Sequence, residues 1–158
     1  MAEKYDVVVI GSGPGGFRAA SRCSQKGASV AIVEKEYVGG VCLNWGCIPS
    51  KTLLASAHSI LTVKKSKQLG VNVESFSPDW PRIQQRKNQV VEKLRNGMSQ
   101  SAEQAKINWV QGRGIVTEPG KVRVETQGGD RDLQASKIIL ATGAKPIELP
   151  FAKVDREG

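Results

Sequence analysis

The sequence predicts an α/β fold in which a parallel sheet carries helices and is joined by an antiparallel β-meander. Three observations predict this fold. Apolar runs typical of strands buried on both faces recur at 5–10, 29–33 and 138–142. Two long segments with helical character separate the second run from the third. Short alternating stretches, broken by glycines and by Pro119-Gly120, occupy residues 108–134 and favour a meander.

The first unit is a strand, a helix and a second strand. Val7–Ile10 is the core of the first strand, and the glycine-rich turn Gly11–Gly16 opens a helix to about Lys26. One face of this helix carries small residues, which let a helix lie close to a sheet. They are Gly16, Ala19, Ala20 and Cys23. Gly27 is placed to end the helix before the strand at 29–33.

Two longer helices follow. The first is predicted from Lys51 to about Gln68, and the second begins near Ser77–Pro81 and runs to about Gln104. Asp79 or Ser77 is the expected N-cap, with Pro81 in the first turn. The second helix has an expected buried stripe made of Ile83, Val90, Val91, Leu94 and Met98. The last buried strand, 138–142, ends in Gly143.

Composition limits the class of protein. The 158 residues are 39% hydrophobic and 24% charged, which is typical of one globular domain. We see no secretory signal and no apolar run near the ~20 residues that span a bilayer. We therefore expect a soluble cytoplasmic protein, or one housed in an organelle after processing, without a membrane partner. The net charge is +8, but the basic residues are scattered over helical segments. Solvated helix faces explain them, and no nucleic-acid partner is expected.

The turn after the first strand fits the pattern G-x-G-x-x-G at Gly11, Gly13 and Gly16. The first glycine permits a tight turn, the second lets the backbone approach a pyrophosphate, and the third permits close helix–strand packing. The helix N-terminus offers free N–H groups to phosphates. Glu34 ends the next strand and could accept hydrogen bonds from ribose hydroxyls. A glycine-rich turn that binds no nucleotide is the alternative.

Cys42 and Cys47 lie five positions apart after Gly39-Gly40. A strained turn near a helix N-terminus could bring them together, lower the pKa of at least one thiol and make their disulfide easy to reduce. The pair could instead be half of a zinc site, although His58 is the sole histidine, or two buried free cysteines, or a structural disulfide. The nearby dinucleotide pattern favours redox chemistry, and no metal site is expected.

The segment 39–51, G-G-x-C-x-N-x-G-C-x-P-x-K, together with the upstream glycine pattern, resembles the pyridine nucleotide–disulfide oxidoreductases. Leu43, Ile48 and Ser50-Lys51 are most similar to the dihydrolipoyl dehydrogenase branch of that family. The resemblance continues through Gly112-Arg113-Gly114 and 139–143. Val41 and Trp45 depart from the family pattern, which commonly has threonine and a smaller apolar residue there.

The resemblance implies a Rossmann-like FAD-binding domain, with FAD rather than NAD at the glycine turn. Cys42 would be the thiol that exchanges with substrate, and Cys47 the thiol beside the flavin. Lys51 would lie beside the flavin ring, Gly114 near the adenine, and Thr142-Gly143 at a second flavin contact. The implied cofactor-binding residues are Gly11, Gly13, Pro14, Gly16, Glu34, Lys35, Gly40, Val41, Cys42, Lys51, Gly114, Thr142 and Gly143.

By the same resemblance, the parent enzyme oxidises dihydrolipoamide through the Cys42–Cys47 disulfide and FAD, and NAD is the final acceptor. Its partners would be the lipoyl domain of a 2-oxo acid dehydrogenase or glycine cleavage complex and a second subunit in a homodimer. Residues 1–158 would be the N-terminal segment of an incomplete FAD-binding domain. They contain no NAD-binding fingerprint and no His–Glu base, so we expect no turnover by this chain alone, and exposed apolar surface that favours self-association.

Three alternatives remain at this point. The chain could be a non-catalytic FAD-binding module, it could be part of a mercuric or glutathione reductase-like enzyme, or it could be a basic interaction protein with vestigial motifs.

Overall fold

The computed structural model describes residues 2–145 together with 147, 149 and 151. The elements are β1 (Glu3–Ile10), α1 (Pro14–Gln25), β2 (Val30–Glu34), α2 (Gly40–Asn44), α3 (Cys47–Lys65), a 3₁₀ turn (Ser66–Leu69), α4 (Trp80–Gln104), β3 (Asn108–Gln111), β4 (Arg113–Glu118), β5 (Lys121–Glu125) and β6 (Arg131–Leu140). Six strands form one sheet in the order β3-β2-β1-β6-β5-β4. The predicted α/β class is confirmed.

The parallel part of the sheet contains β3, β2, β1 and β6, with β1 between β2 and β6. All of β2 and the last four residues of β1 are buried, as the unbroken apolar runs predict. These strands point the same way, so Ile10, Glu34 and Leu140 end at one edge of the sheet. The chain leaves β1 toward β2 on one side, while β6 lies on the other, and ligands of open α/β sheets bind at such a change of direction.

The meander is shorter than predicted. β4, β5 and β6 pair antiparallel, as expected, but Asn108–Gln111 pairs parallel with Ala31–Glu34. The prediction that the meander begins at 108 is therefore wrong. The sequence of a short strand does not specify the strand beside it. β3 pairs with β2 because this position buries Ile107 and Val110 in the cores of the parallel sheet.

Alternate residues of the parallel strands bury two separate cores. Val8, Ile10 and Val33 face the meander, whose buried side chains are Val122, Val124, Leu133 and Ala135. Val7, Val9 and Ile32 face the helices, where Ala20 of α1 and Ala102 of α4 are fully buried. The small side chains on α1 thus allow the close approach that the sequence predicts.

The long helices differ from their predicted forms. α3 begins at Cys47, four residues before Lys51, because Pro49 is tolerated in the first turn of a helix. α4 has its N-cap at Asp79, whose carboxylate accepts a hydrogen bond from the Arg82 N–H at 3.0 Å, as predicted. The prediction of its buried stripe is wrong. Of the five residues, Val91 alone is buried, and Leu94 is 43% exposed. α4 packs mainly against α3 and reaches the sheet only near Ala102.

The last strand is longer and less buried than predicted. β6 spans Arg131–Leu140, and Leu140 is 67% exposed. From Ala135 onward β6 pairs with β1 on one side, and no described strand pairs with its other side. Within residues 2–145, no helix combines the length and the apolar character needed to cross a membrane.

Candidate functional site

The glycine turn is held tightly against the end of β6. Gly11 has φ +103°, and a Cβ there would stand 2.2 Å from the Ala141 carbonyl oxygen. A Cβ on Gly16 would stand 2.0 Å from the Gly11 oxygen. The Ala141 N–H donates to the Ile10 carbonyl at 2.8 Å, which joins the two strand ends. Side chains at the first and third glycines are thus excluded by backbone contacts, as the fingerprint predicts.

Gly13 is different, because no described atom lies within 4 Å of the position its Cβ would take. It is the N-cap of α1, where no described side chain caps the helix and the first turn has no acidic residue. Free N–H groups and the partial positive charge of a helix N-terminus favour phosphate oxygens. A glycine beside open space at such a terminus fits the pyrophosphate of a dinucleotide.

Glu34 is the centre of a buried hydrogen-bond network. Its Oε2 accepts from the Ser12 N–H at 2.9 Å and from the Ser12 hydroxyl at 2.6 Å, and its Oε1 accepts from the Glu36 N–H at 2.9 Å. Ser12 is fully buried, and its Oγ also accepts from the Gly39 N–H at 3.1 Å. Glu34 therefore organises the glycine turn. Its predicted contact to ribose stays a prediction, for which Oε1 has a free lone pair.

The cysteine segment touches the glycine turn directly. Gly39 and Gly40 have φ of +98° and +60° and turn the chain into α2. A Cβ on Gly40 would lie 2.8 Å from the Gly13 Cα, so the start of α2 rests on the turn. Together with the Gly39–Ser12 hydrogen bond, this contact brings the two sequence motifs to one edge of the sheet. The sequence places them near each other, but it does not show that they share a backbone contact.

Cys42 lies in α2 and Cys47 is the first residue of α3. Gly46 separates the helices, and a Cβ there would lie 3.0 Å from the Val41 oxygen and 3.3 Å from the Cys42 Cα. Neither cysteine is in a disulfide, and the two side chains are near enough for Cys47 to affect the pKa of Cys42. Cys47 is exposed and Cys42 half-buried, which contradicts the alternative of two buried free cysteines.

The hydrogen bond to Cys47 raises the pKa of the Cys42 thiol above its usual value. Partial desolvation and the Cys47 charge raise this pKa further, while the Cys47 backbone and the Lys51 ammonium lower it. Cys42 is therefore not the thiol of lowered pKa that the sequence predicts for at least one member of the pair. The cause is that a thiol beside another sulfur retains its proton to share it with that sulfur.

The other predicted residues lie around this edge. Pro14 is exposed in the first turn of α1, Val41 is 57% exposed, and Lys51 is exposed one helical turn beyond Cys47. Thr142 and Gly143 follow β6 and are exposed.

Two other predicted residues contact neighbouring residues of the chain. Lys35 pairs with Glu36 at 3.3 Å. Gly114 lies over the ends of β1 and β2, where a Cβ would be 3.1 Å from Ile10 and 3.2 Å from Val33. His58, which the sequence gives no catalytic role, is exposed on α3.

Four residues near the cysteines make contacts that the sequence does not predict. The buried Asn44 amide donates to the carbonyls of Val38 at 3.1 Å and Gly40 at 2.8 Å. The Asn44 Oδ1 accepts a hydrogen bond from the Arg95 Nε of α4. The Arg95 guanidinium stands 4.2 Å from the centre of the Tyr37 ring, and Tyr37 packs edge-on against Trp45 at 6.0 Å. Asn44 is part of the quoted motif, but nothing in the sequence points to Arg95.

Comparison with known proteins agrees with this geometry. The family described as pyridine nucleotide-disulphide oxidoreductase matches residues 5–157. Dihydrolipoyl dehydrogenase of Bacillus subtilis (strain 168) is 41% identical over 98% of this chain and 35% of that protein. The dihydrolipoyl dehydrogenase of Staphylococcus aureus is 42% identical over 94% of the chain and 32% of its own length. This chain thus spans about a third of the length of these relatives.

A solved structure is also similar, described as the Cu(II) complex of the HOCl-induced flavoprotein disulfide reductase RclA from Escherichia coli. It matches with a TM-score of 0.75 and 32% identity, over 94% of this chain and 30% of that one.

Proposed function

The chain belongs to the pyridine nucleotide-disulphide oxidoreductase family, and from this premise we propose that it is part of an FAD-dependent dihydrolipoyl dehydrogenase. The observation that carries the proposal is the contact between the cysteine segment and the glycine turn, through Gly39–Ser12 and Gly40–Gly13. It holds a dithiol pair beside a backbone suited to a dinucleotide. The identity to dihydrolipoyl dehydrogenases supports the choice of substrate.

The residues of the turn fit FAD. Gly13 leaves space at the N-terminus of α1 for the pyrophosphate, and Glu34 retains a lone pair for a ribose hydroxyl. Lys51, Thr142 and Gly143 are the residues we propose near the flavin. When bound, FAD would supply the two-electron redox chemistry that links the cysteine pair to NAD.

The cysteine pair would exchange two electrons with dihydrolipoamide. One substrate thiolate attacks the Cys42 sulfur of the disulfide, forming a mixed disulfide and releasing Cys47 as the leaving thiolate. The second substrate thiolate then attacks the substrate sulfur that is bonded to Cys42, and Cys42 leaves as a thiolate. Lipoamide leaves as a cyclic disulfide, and the two electrons stay on the cysteines. The two substrate thiols release two protons in these steps. One binds to Cys42, whose raised pKa favours the thiol, and the other goes to solvent.

We propose that the chain by itself does not turn over lipoamide with NAD. Its sole histidine, His58, is exposed on α3 and lies about 16 Å along the helix from Cys47, too far to serve as a base beside the cysteine pair. We further propose that the complete enzyme is a homodimer that accepts lipoyl domains of a 2-oxo acid dehydrogenase or glycine cleavage complex. Measurable NAD-linked lipoamide reduction by the 158 residues would contradict the first of these proposals.

The experiment that tests cofactor binding is a visible absorption spectrum of the chain after FAD is added and the excess removed. We expect retained flavin bands, and their loss in Gly13→Asp, because a carboxylate would occupy the space for the pyrophosphate and repel it. No described atom lies near that Cβ position, and φ at Gly13 is −59°, so the variant should fold. Gly97→Asp on α4, which also meets open space, is the matched control.

Equal flavin retention in Gly13→Asp and Gly97→Asp would contradict the proposed pyrophosphate position. A non-catalytic FAD-binding module is the second candidate, because the fit of the turn to a dinucleotide rests on Gly13 and Glu34 and does not require the cysteines. Adding dihydrolipoamide to the flavin-loaded chain separates the two. Reduction of the flavin that Cys42→Ser abolishes supports the enzyme, whereas reduction that is unaffected by Cys42→Ser, or absent, supports the module. The same assay with reduced glutathione tests a glutathione reductase-like substrate.

A further inference from the structure

We infer that Arg95 is a positioning residue for the Cys42–Cys47 pair, acting through Asn44; the inference rests on the proposed redox role of the pair. Arg95 lies on α4, more than fifty positions from Cys42 in the sequence. Its Nε donates to the Asn44 Oδ1, and Asn44 is the last residue of the short helix that carries Cys42. The guanidinium therefore reaches the redox segment from a separate element of the fold.

The Asn44 amide is engaged at both ends. Its Nδ2 donates to the Val38 and Gly40 carbonyls, which flank the turn into α2, while its Oδ1 accepts from Arg95. Asn44 is only 7% exposed, so water has little access to replace a lost partner. Loss of Arg95 leaves the Asn44 Oδ1 without its donor. Because the amide is planar, a rotation that brings Oδ1 to another donor also moves Nδ2 away from the two carbonyls. The hydrogen bonds that fix the start of α2 are then lost.

The Arg95 guanidinium is itself held in place. It stands 4.2 Å from the centre of the Tyr37 ring, and Tyr37 packs against Trp45 at 6.0 Å and 64°. Tyr37 precedes α2 and Asn44 ends it, so Arg95 contacts the chain at both ends of the cysteine helix. A guanidinium above an aromatic ring gains a favourable cation–π interaction, which a flexible ammonium reproduces less well. Arg95 therefore restrains α2 from two directions.

This restraint has a consequence for redox chemistry. The stability of the Cys42–Cys47 disulfide depends on how often the two sulfurs meet in the dithiol form, that is, on their effective concentration. α2 has five residues, too few to be rigid on its own. If Arg95 fixes α2, its removal lowers this effective concentration, and the disulfide becomes easier to reduce. A residue that only supported α4 would not change this equilibrium.

The test equilibrates the chain with mixtures of reduced and oxidised dithiothreitol, in which oxidised dithiothreitol takes two electrons and two protons from the cysteine pair. Acid quenching and maleimide labelling, read by mass, give the fraction of dithiol in a Cys23→Ala background. For Arg95→Met we expect the equilibrium constant for forming the Cys42–Cys47 disulfide to fall about tenfold. This fall corresponds to a reduction potential about 30 mV more positive. In Arg95→Lys the same equilibrium constant should fall about threefold, because lysine retains the charge but not the planar group.

Arg86→Met is the matched control. Arg86 also lies on α4 and donates to the Thr52 carbonyl of α3 at 3.3 Å, so the substitution removes the same charge and an α4 anchor without touching α2. We expect its constant to stay near that of the unchanged chain. Asn44→Ala should shift the constant at least as far as Arg95→Met. The double variant should shift no further than Asn44→Ala, because Arg95 acts through Asn44.

Each outcome decides one point. An Arg95→Met constant equal to that of Arg86→Met overturns the inference but leaves the proposed redox role standing. Additive shifts in the double variant also overturn it, since Arg95 would then act independently of Asn44. If Arg95→Met fails to fold, Arg95→Lys is compared with Arg86→Lys by the same criterion. If the unchanged chain forms no Cys42–Cys47 disulfide, both the redox role and the inference are wrong.

Discussion

Gly11 and Gly27 both have positive φ, of +103° and +88°, yet only one of them is confined. A Cβ on Gly11 would overlap the Ala141 carbonyl oxygen at 2.2 Å, whereas a Cβ on Gly27 would meet no described atom within 4 Å. Gly27→Ala should therefore cost only backbone strain, about 1–2 kcal/mol in the free energy of unfolding. Gly11→Ala should cost about 1–3 kcal/mol more, because β6 must move away. Urea unfolding measures both, and equal costs would contradict the contact.

The pKa of Cys42 provides a second prediction for a single residue. The hydrogen bond to Cys47 raises this pKa, so less thiolate is present at a given pH than in a free cysteine. Cys47→Ala removes that cause, and the pH midpoint for alkylation of Cys42 by iodoacetamide should move to lower pH. The measurement uses a Cys23→Ala background, and the Cys23→Ala chain with both other cysteines is the control. A midpoint that stays in place or rises would contradict the hydrogen bond as the cause.

Prediction from sequence was successful at residues whose role follows from local backbone geometry. Gly11, Gly13 and Gly16 have the conformations or the space that the fingerprint requires. It was less successful for side chains whose partners come from distant segments. Glu34 is occupied by Ser12 and Glu36, and Arg95 reaches Asn44 from α4. Tertiary packing selects such partners, and no spacing rule within one segment can identify them.

Among the helices, α4 offers a quantitative test of its start. Asp79 accepts a hydrogen bond from the Arg82 N–H, and the helix it caps has 25 residues, exposed along most of its length. Asp79→Ala should lower the free energy of unfolding by about 1 kcal/mol, because one N–H of the first turn loses its acceptor. Asp79→Ser retains an acceptor and should cost much less. Thermal unfolding of both variants measures the difference; equal loss in both would show that the cap is not the cause.

The helices and strands were predicted best where the sequence gives a local start or stop signal. Asp79, Pro81 and Gly27 mark boundaries that the structure confirms to within a residue or two. The predicted start of α3 at Lys51 is four residues late, because a proline such as Pro49 fits the first turn of a helix. The stripe on α4 was wrong because its apolar residues do not face the sheet. Burial of a helix depends on which elements surround it, and its own periodicity does not contain that information.

For the whole molecule, two strong patterns were enough to predict the fold class and the edge of the sheet where the site lies. Buried strands and a glycine turn between them imply a parallel sheet with a ligand site at its carboxyl edge. The position of β3 beside β2, and the exposure of β6 at Leu140, required the assembled sheet. Both features depend on contacts between segments far apart in the sequence, which local patterns do not specify.

Large apolar side chains are exposed on α3 and along the connection to α4: Leu54, Leu61, Leu69, Val71, Val73, Phe76 and Trp80. Exposed apolar surface favours association, while the net charge of +8 opposes it. We therefore expect the mean mass in sedimentation velocity to rise with concentration, and more steeply at high salt, which screens the charge. Leu69→Glu with Val71→Glu should reduce the rise. Val116→Glu with Thr117→Glu on β4 makes the same charge change away from this surface and should not; equal effects would assign the association to charge alone.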